Sequence, residues 1–275
     1  GTGKTSVALL LAKCVADGTV FASREVERGK VLFCGGENPD DLRQRFLSLC
    51  DQEGRAPGDY DIEFLTAERY GSLIEGHREV VDYIAGVGGV KLVIVDTSAA
   101  FFIGQDENAN TELGDYARKL RRLTELPGHP AVVVPCHPVK KPQTQSDCLP
   151  RGGGAFIAEV DGNLVLWPAG DNVELNWAGK FRGPPFDPVI FALKTVEAAS
   201  VRDAKGRPIK SVIATEVDAA TVQAAETREQ DDLRLILFTM ERNPSARKPT
   251  AIAEAAGLLS HVGTEARAQK ENVRG

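Results

Sequence analysis

From residue 31 onward the chain alternates short apolar runs with stretches of helical period, and nothing else in the sequence restricts its fold as much. The runs fall at 31–34, 62–65, 91–95 and 131–134, and amphipathic stretches occupy 39–50, 72–85 and 111–126 between them. Four or five mostly apolar residues are too few for a helix and, without strict polar alternation, belong in a strand covered on both faces. Strand-like runs separated by helical periods predict βαβ units, a parallel sheet and the α/β class. After residue 151 the runs come closer together, at 163–167, 173–177, 189–194 and 211–215, with no long helical stretch between them. This predicts an antiparallel extension of the same sheet. A polar linker is expected at 217–228, dividing a first domain at 1–216 from a small helical segment at 229–275. In that segment Leu233, Ile236, Leu237 and Met240 form a helical stripe, Asn243-Pro244 is a stop, and a short helix begins at Pro249 and ends at Gly257. A further helix expected from about His261 would complete helix-turn-helix spacing.

The chain begins Gly1-Thr2-Gly3-Lys4-Thr5-Ser6, the second half of the phosphate-binding motif G-x-x-x-x-G-K-[ST]. In that motif backbone N–H groups and the N-terminus of the following helix surround phosphates, lysine reaches the β and γ groups, and Ser/Thr holds Mg²⁺. Lys4 and Thr5 stand at those positions, and Val7, Leu10, Leu11 and Cys14 recur at helical spacing behind them. The motif's first glycine and the strand feeding it would lie before residue 1, so an incomplete phosphate loop is expected. A flexible Gly-Thr terminus ahead of an ordinary helix is the competing explanation of these six residues.

Parallel strands deliver their last residues to one edge of a sheet, and three of the runs end in groups able to do chemistry there. The run at 91–95 is followed by Asp96, placed to orient Mg²⁺ or its water shell. The run at 31–34 leads through Gly35-Gly36 to Glu37, a carboxylate suited to orient a water and take its proton. Its alternative role, capping the next helix, suits Asn38 or Asp40 better. The run at 131–134 leads to His137, a candidate γ-phosphate sensor, although a lone histidine is more often an ordinary surface or core residue. Beyond it, Lys140 and Lys141 lie in a basic, proline-marked loop that could meet nucleic-acid phosphates or simply be solvated. Lys180 and Arg182 stand two apart after a strand-like run, so they share a side and can reach toward a neighbouring subunit's phosphate. Surface cations flanking a turn would look the same.

A formal net charge of −6 argues against a generally basic nucleic-acid coat and leaves DNA contact to local elements. No apolar run reaches the length of a membrane span, and the chain is expected in the cytoplasm. The five cysteines show no C-x-x-C spacing and suggest neither a disulfide framework nor a zinc site.

Taken in order, the phosphate loop, Glu37, Asp96, His137, the turn Arg151-Gly152-Gly153-Gly154-Ala155-Phe156 and Lys180-x-Arg182 resemble the RecA-like ATPases. The closest resemblance is to the RepA-like branch of hexameric replicative helicases of plasmids and prophages, over about residues 1–195. It implies a RecA-like P-loop NTPase core that binds ATP and Mg²⁺, closes into a homo-oligomeric ring, hydrolyses ATP at subunit interfaces and draws single-stranded DNA through the channel. Replication proteins are its implied partners. Gly1, Thr2, Gly3, Lys4, Thr5 and Ser6 would then form the nucleotide-binding set, with Thr5 and Asp96 holding Mg²⁺. Glu37 would be the catalytic glutamate, His137 the sensor, and Lys180 and Arg182 the pair acting across the subunit boundary. Arg151 is a second finger or a loop anchor, in a turn where glycines replace the family's hydroxyl residues. The family's DNA-facing loops fall at 101–110, acidic here at Asp106 and Glu107, and at 138–150. Related proteins append a winged helix, whose beginning 229–275 resembles, so truncation at both ends is expected. Two other classes stay open: a RecA-like ATPase that does not unwind DNA, such as a recombination mediator or clock-like regulator, and a DNA-binding regulator that works through its C-terminal helices.

Overall fold

The computed structural model describes residues 2–66, 83, 85–102, 104, 109–138, 142–150, 153–242, 248–262 and 265–268. They fall into two compact units, Gly1–Glu216 and Val217–Gly275.

The first unit opens with α1, Lys4–Asp17, entered from Gly3 in the left-handed region at φ 77°. Only glycine fits there: an added Cβ would lie 2.7 Å from the Leu193 side chain, and the backbone angle itself disfavours other residues. Strand β1, Lys30–Gly35, leads to α2, Pro39–Glu53. Helix α2 starts where three local signals agree. The Asn38 side chain accepts from the Asp41 amide at 3.1 Å, Pro39 takes the first turn, and Asp40 and Asp41 face the positive end of the helix dipole. Then follow β2, Ile62–Thr66, β3, Val90–Asp96, α3, Asn110–Arg122, and β4, Ala131–Val133. The four strands form one parallel sheet in the order β2-β1-β3-β4.

Alternation within the buried strands divides the core between the two sheet faces. Val31 and Phe33 of β1, with Leu92 and Ile94 of β3, pack among Leu9 and Val15 of α1 and Phe46 and Leu49 of α2. Leu32 and Cys34, with Val93 and Val95, pack on the other face among Leu113, Tyr116 and Leu120 of α3. A side chain the size of Phe33, wholly removed from water, contributes about 1.5–3 kcal/mol. The carboxyl ends of β1, β3 and β4 are thus held by a core filled from both sides. Of the helix expected at 72–85, residues 83 and 85 are helical, and the remainder lies outside the described residues.

After a short helix α4, Gly153–Glu159, come β5, Gly162–Ala169, β6, Asn172–Phe181, β7, Val189–Arg202, and β8, Pro208–Val217. They make a second sheet in the order β5-β6-β7-β8, with antiparallel pairing of β5 to β6 and β6 to β7. This corrects the expected extension of the first sheet. An apolar run records that a strand is buried but not which neighbour it pairs with, and the three-residue β4 pairs with β3. The second sheet joins the first unit through packing: Val7 of α1 clusters with Val173, Phe191 and Ala214, and Phe21 stacks on Phe191 with ring centroids 5.7 Å apart.

The second unit holds α5, Ala219–Arg242, α6, Pro249–Ala255, and an antiparallel pair, β9, Leu259–Val262, with β10, Glu265–Ala268. Two expectations are corrected here. Residues 219–228, read as linker, are helical, because a stretch rich in Ala, Glu, Gln and Arg without Gly or Pro favours helix whatever its polarity. The further helix expected from His261 is the strand β9, since so short a segment carries no period that separates helix from strand. The stop at Asn243-Pro244 lies outside the described residues. Among the described residues no helix is long and apolar enough to cross a membrane.

Candidate active site

The parallel register pairs Gly35 at the end of β1 with Asp96 at the end of β3. One residue further on, the Gly36 amide donates to the Asp96 carbonyl at 2.8 Å, and the Ser98 amide donates to the Pro135 carbonyl at 2.9 Å. These two bonds continue the sheet past its strands and align the three chain segments that follow β1, β3 and β4. Gly36 has to be glycine: a Cβ would stand 2.4 Å from Cβ of Ala100 and 2.8 Å from the Phe101 ring. The close approach leaves the following residue, Glu37, alongside Thr97 and His137.

Both neighbours meet the same oxygen of Glu37. Thr97 Oγ1 donates to Oε1 at 2.7 Å, and His137 Nε2 stands 2.9 Å from Oε1. An ionised carboxylate only accepts, so the Nε2–H tautomer of His137 is the one that completes this pair. Among the described residues Oε2 has no hydrogen-bond partner. The bonds from His137 and Thr97 favour the charged form and hold the Glu37 carboxyl below its ordinary value, with the charge of Lys4 acting in the same direction.

Asp96 is shifted the other way. It is 6% exposed, and burial raises its carboxyl above the usual range, with a hydrogen bond from Thr5 and the Lys4 charge partly offsetting this and the Glu37 charge adding to it. Its Oδ1 is buried without a hydrogen-bond partner. A buried, unpartnered carboxylate oxygen beside a threonine hydroxyl suits a hard divalent cation such as Mg²⁺, which typically takes one or two carboxylates and completes its shell with water and substrate phosphate. Thr5 and Asp96 are therefore the residues that would hold Mg²⁺. The peptide between Asp96 and Thr97 is cis.

On the phosphate side, Lys4 begins α1, and its Nζ lies 3.5 Å from Thr2 Oγ1. Its charge reaches both carboxylates, which places Lys4, Thr5, Glu37, Asp96 and His137 in one neighbourhood. Ser6 is turned away from it. Its buried hydroxyl donates to the Val212 carbonyl of β8 at 2.8 Å and accepts from Arg45 Nη1 at 3.0 Å, so its side chain holds the fold rather than a ligand. The same Arg45 nitrogen donates to the Val212 carbonyl at 3.3 Å, and its Nε pairs with Asp41 at 2.7 Å. Helical periodicity explains the change: successive residues point about 100° apart, and the one after Thr5 faces inward.

The two cations at the end of β6 are engaged within the chain. Lys180 Nζ donates to the carbonyls of Ala158 at 2.5 Å and Ile157 at 3.3 Å, completing the C-terminal turn of α4. Arg182 pairs with Asp161 at 3.1 Å, and Arg121 reaches the same carboxylate at 3.2 Å. Gly1, Arg151, Lys140, Lys141, Asp106 and Glu107 lie outside the described residues. Thr97 is the member of the site that the sequence did not single out. Its only signal was its place directly after Asp96 at the strand's carboxyl end.

No curated protein matches the chain. A family model described as an AAA domain matches residues 1–143, which takes in the phosphate-loop half-motif, α1 and the three strand ends that carry Glu37, Asp96 and His137. Over half its length, and through the cluster of Lys4, Thr5, Glu37, Asp96 and His137, the chain belongs to this AAA domain family of P-loop ATPases.

Proposed function

We propose that this ATPase is a motor acting on DNA, a ring-forming replicative helicase of the RepA-like kind. The observation that carries the proposal is the position of the base. Glu37 follows the strand beside that of Asp96, and His137, which follows a third strand, meets its Oε1, so a water-activating carboxylate and a phosphate-sensing imidazole come together in one pair. The exposed Arg182, following Lys180 by two residues, supports a contact in trans with the γ-phosphate of a neighbouring subunit. In this reading the helix-and-hairpin unit at the C-terminus is a winged-helix-like element for DNA or replication partners.

The chemistry follows from the side chains. Lys4 and the free amides at the start of α1 draw the β and γ phosphates to the edge of the sheet. Mg²⁺, when bound at Thr5 and Asp96, supplies charge neutralisation on the phosphate oxygens. Glu37 Oε2 accepts the proton of a water whose oxygen attacks the γ phosphorus. The bond from that phosphorus to the β,γ-bridging oxygen breaks, leaving ADP and phosphate. General-base assistance of this kind is worth about 10²–10⁴-fold in rate.

The test is ATP turnover and duplex strand displacement with and without single-stranded DNA. Stimulated turnover with displacement supports the helicase; turnover indifferent to DNA, without displacement, rejects it. One observation favours a second reading, a RecA-like ATPase that regulates or mediates without unwinding. The formal net charge of −6 gives the chain little general attraction for a nucleic-acid backbone.

A further inference from the structure

We propose that Thr97 is a positioning residue: its hydroxyl, donated to Oε1 of Glu37, fixes the carboxylate so that Oε2 is presented to the attacking water. The inference rests on the ATPase reading of the site and adds to it a residue outside the nucleotide-binding and sensing set.

Three observations carry it. Thr97 is 4% exposed, so its hydroxyl is cut off from water and needs an acceptor, and the acceptor it meets is Oε1 of Glu37 at 2.7 Å. Glu37, in contrast, is about half exposed, and a glutamate side chain with that freedom samples several rotamers unless something holds it. The anchor is also stiffer than the histidine that shares the oxygen. A β-branched residue has restricted χ1, and the backbone around Thr97 is tied on both sides: Gly36 to Asp96 at 2.8 Å, Ser98 to Pro135 at 2.9 Å, and the Ala100 amide to the Thr97 carbonyl at 3.0 Å. His137 is 39% exposed on its side chain and follows the short β4. If His137 turns toward a γ-phosphate, it gives up Oε1, and the Thr97 bond keeps Glu37 in register while that happens. Thr97 touches neither phosphate nor water in this scheme; it acts through Glu37.

The experiment compares full-length chain of wild type, Thr97→Val and Thr97→Ser in steady-state ATP turnover, with affinity for a fluorescent ADP analogue measured separately. Valine keeps the shape and loses the donor; serine keeps the donor. In Thr97→Val, kcat is expected to fall about 10- to 100-fold, the scale of a small misplacement of a reacting group, with KM and ADP affinity within about twofold of wild type. Thr97→Ser should keep kcat within about threefold of wild type, because the hydrogen bond survives. If the valine variant does not fold, as judged by its circular dichroism melt, Thr97→Ala carries the same expectation. Wild-type kcat in the valine or alanine variant overturns the proposal, as does an equal loss in Thr97→Ser, or a raised KM at unchanged kcat. A wild-type chain that binds the analogue and turns over no ATP overturns the ATPase reading itself, an outcome distinct from an active wild type that tolerates Thr97→Val.

Discussion

Gly36 donates its amide to the carbonyl of Asp96 across 2.8 Å, so the base and the cation-side carboxylate are set by one backbone bond at adjoining strand ends. The space around it is closed by Ala100 and Phe101. Gly36→Ala should therefore push the segment after β3 outward and carry Glu37 with it. Overpacking of this kind costs about 1–3 kcal/mol, read as a lower unfolding midpoint in denaturant, and turnover should drop by more than the loss of folded protein explains.

Replacing Glu37 separates binding from chemistry. Glu37→Gln keeps the size and the acceptor for Thr97 but cannot take a proton. Turnover should fall about 10²–10⁴-fold while ADP and ATP affinities, measured by fluorescence titration, stay near wild type.

The two carboxylates have opposite consequences for stability. Glu37 is held low by His137 and Thr97, so it lends stability that is present above its unfolded pKa and lost as pH falls through its lower folded value. Thermal melts of Glu37→Gln should accordingly match wild type at the acid end and fall slightly below it near neutrality, the difference staying small because the side chain is half exposed. Asp96 is raised by burial, so ionising it works against the folded state, and that penalty is present in full above its folded value. Asp96→Asn should raise the melting temperature of the nucleotide-free protein at pH 7 and at the same time abolish Mg²⁺-dependent nucleotide binding.

Arg182 pairs with Asp161 while 62% exposed, so the ion pair contributes about 0–1 kcal/mol and Arg182→Ala should melt almost with wild type. If it acts across a subunit boundary, mixing Arg182→Ala chains into wild type should depress ATP turnover more steeply than in proportion to their fraction. A linear dilution curve would confine Arg182 to its own chain.

Much of this arrangement is legible in the amino-acid order because parallel strands have a polarity. Once 31–34, 91–95 and 131–134 are read as strands of one parallel sheet, their following residues Glu37, Asp96 and His137 must emerge at the same edge. What could not be read depends on pairing and rotation. The second sheet is separate because strand partners are chosen in three dimensions, and Ser6 turns inward because its angle around α1 differs from that of Thr5. Thr97 escaped notice since a threonine after a strand is compositionally ordinary; only the 2.7 Å contact with Glu37 distinguishes it. Likewise, the spacing of Lys180 and Arg182 indicated a shared side but not that α4 carbonyls and Asp161 occupy it.

Arg45 removes the slack between the parts of this unit. Its guanidinium grips Ser6 of α1 and Val212 of β8 from its place on α2, beside its own Asp41. Phosphate bound at Lys4 would therefore act on a helix that one side chain ties both to the helix behind Glu37 and to the second sheet.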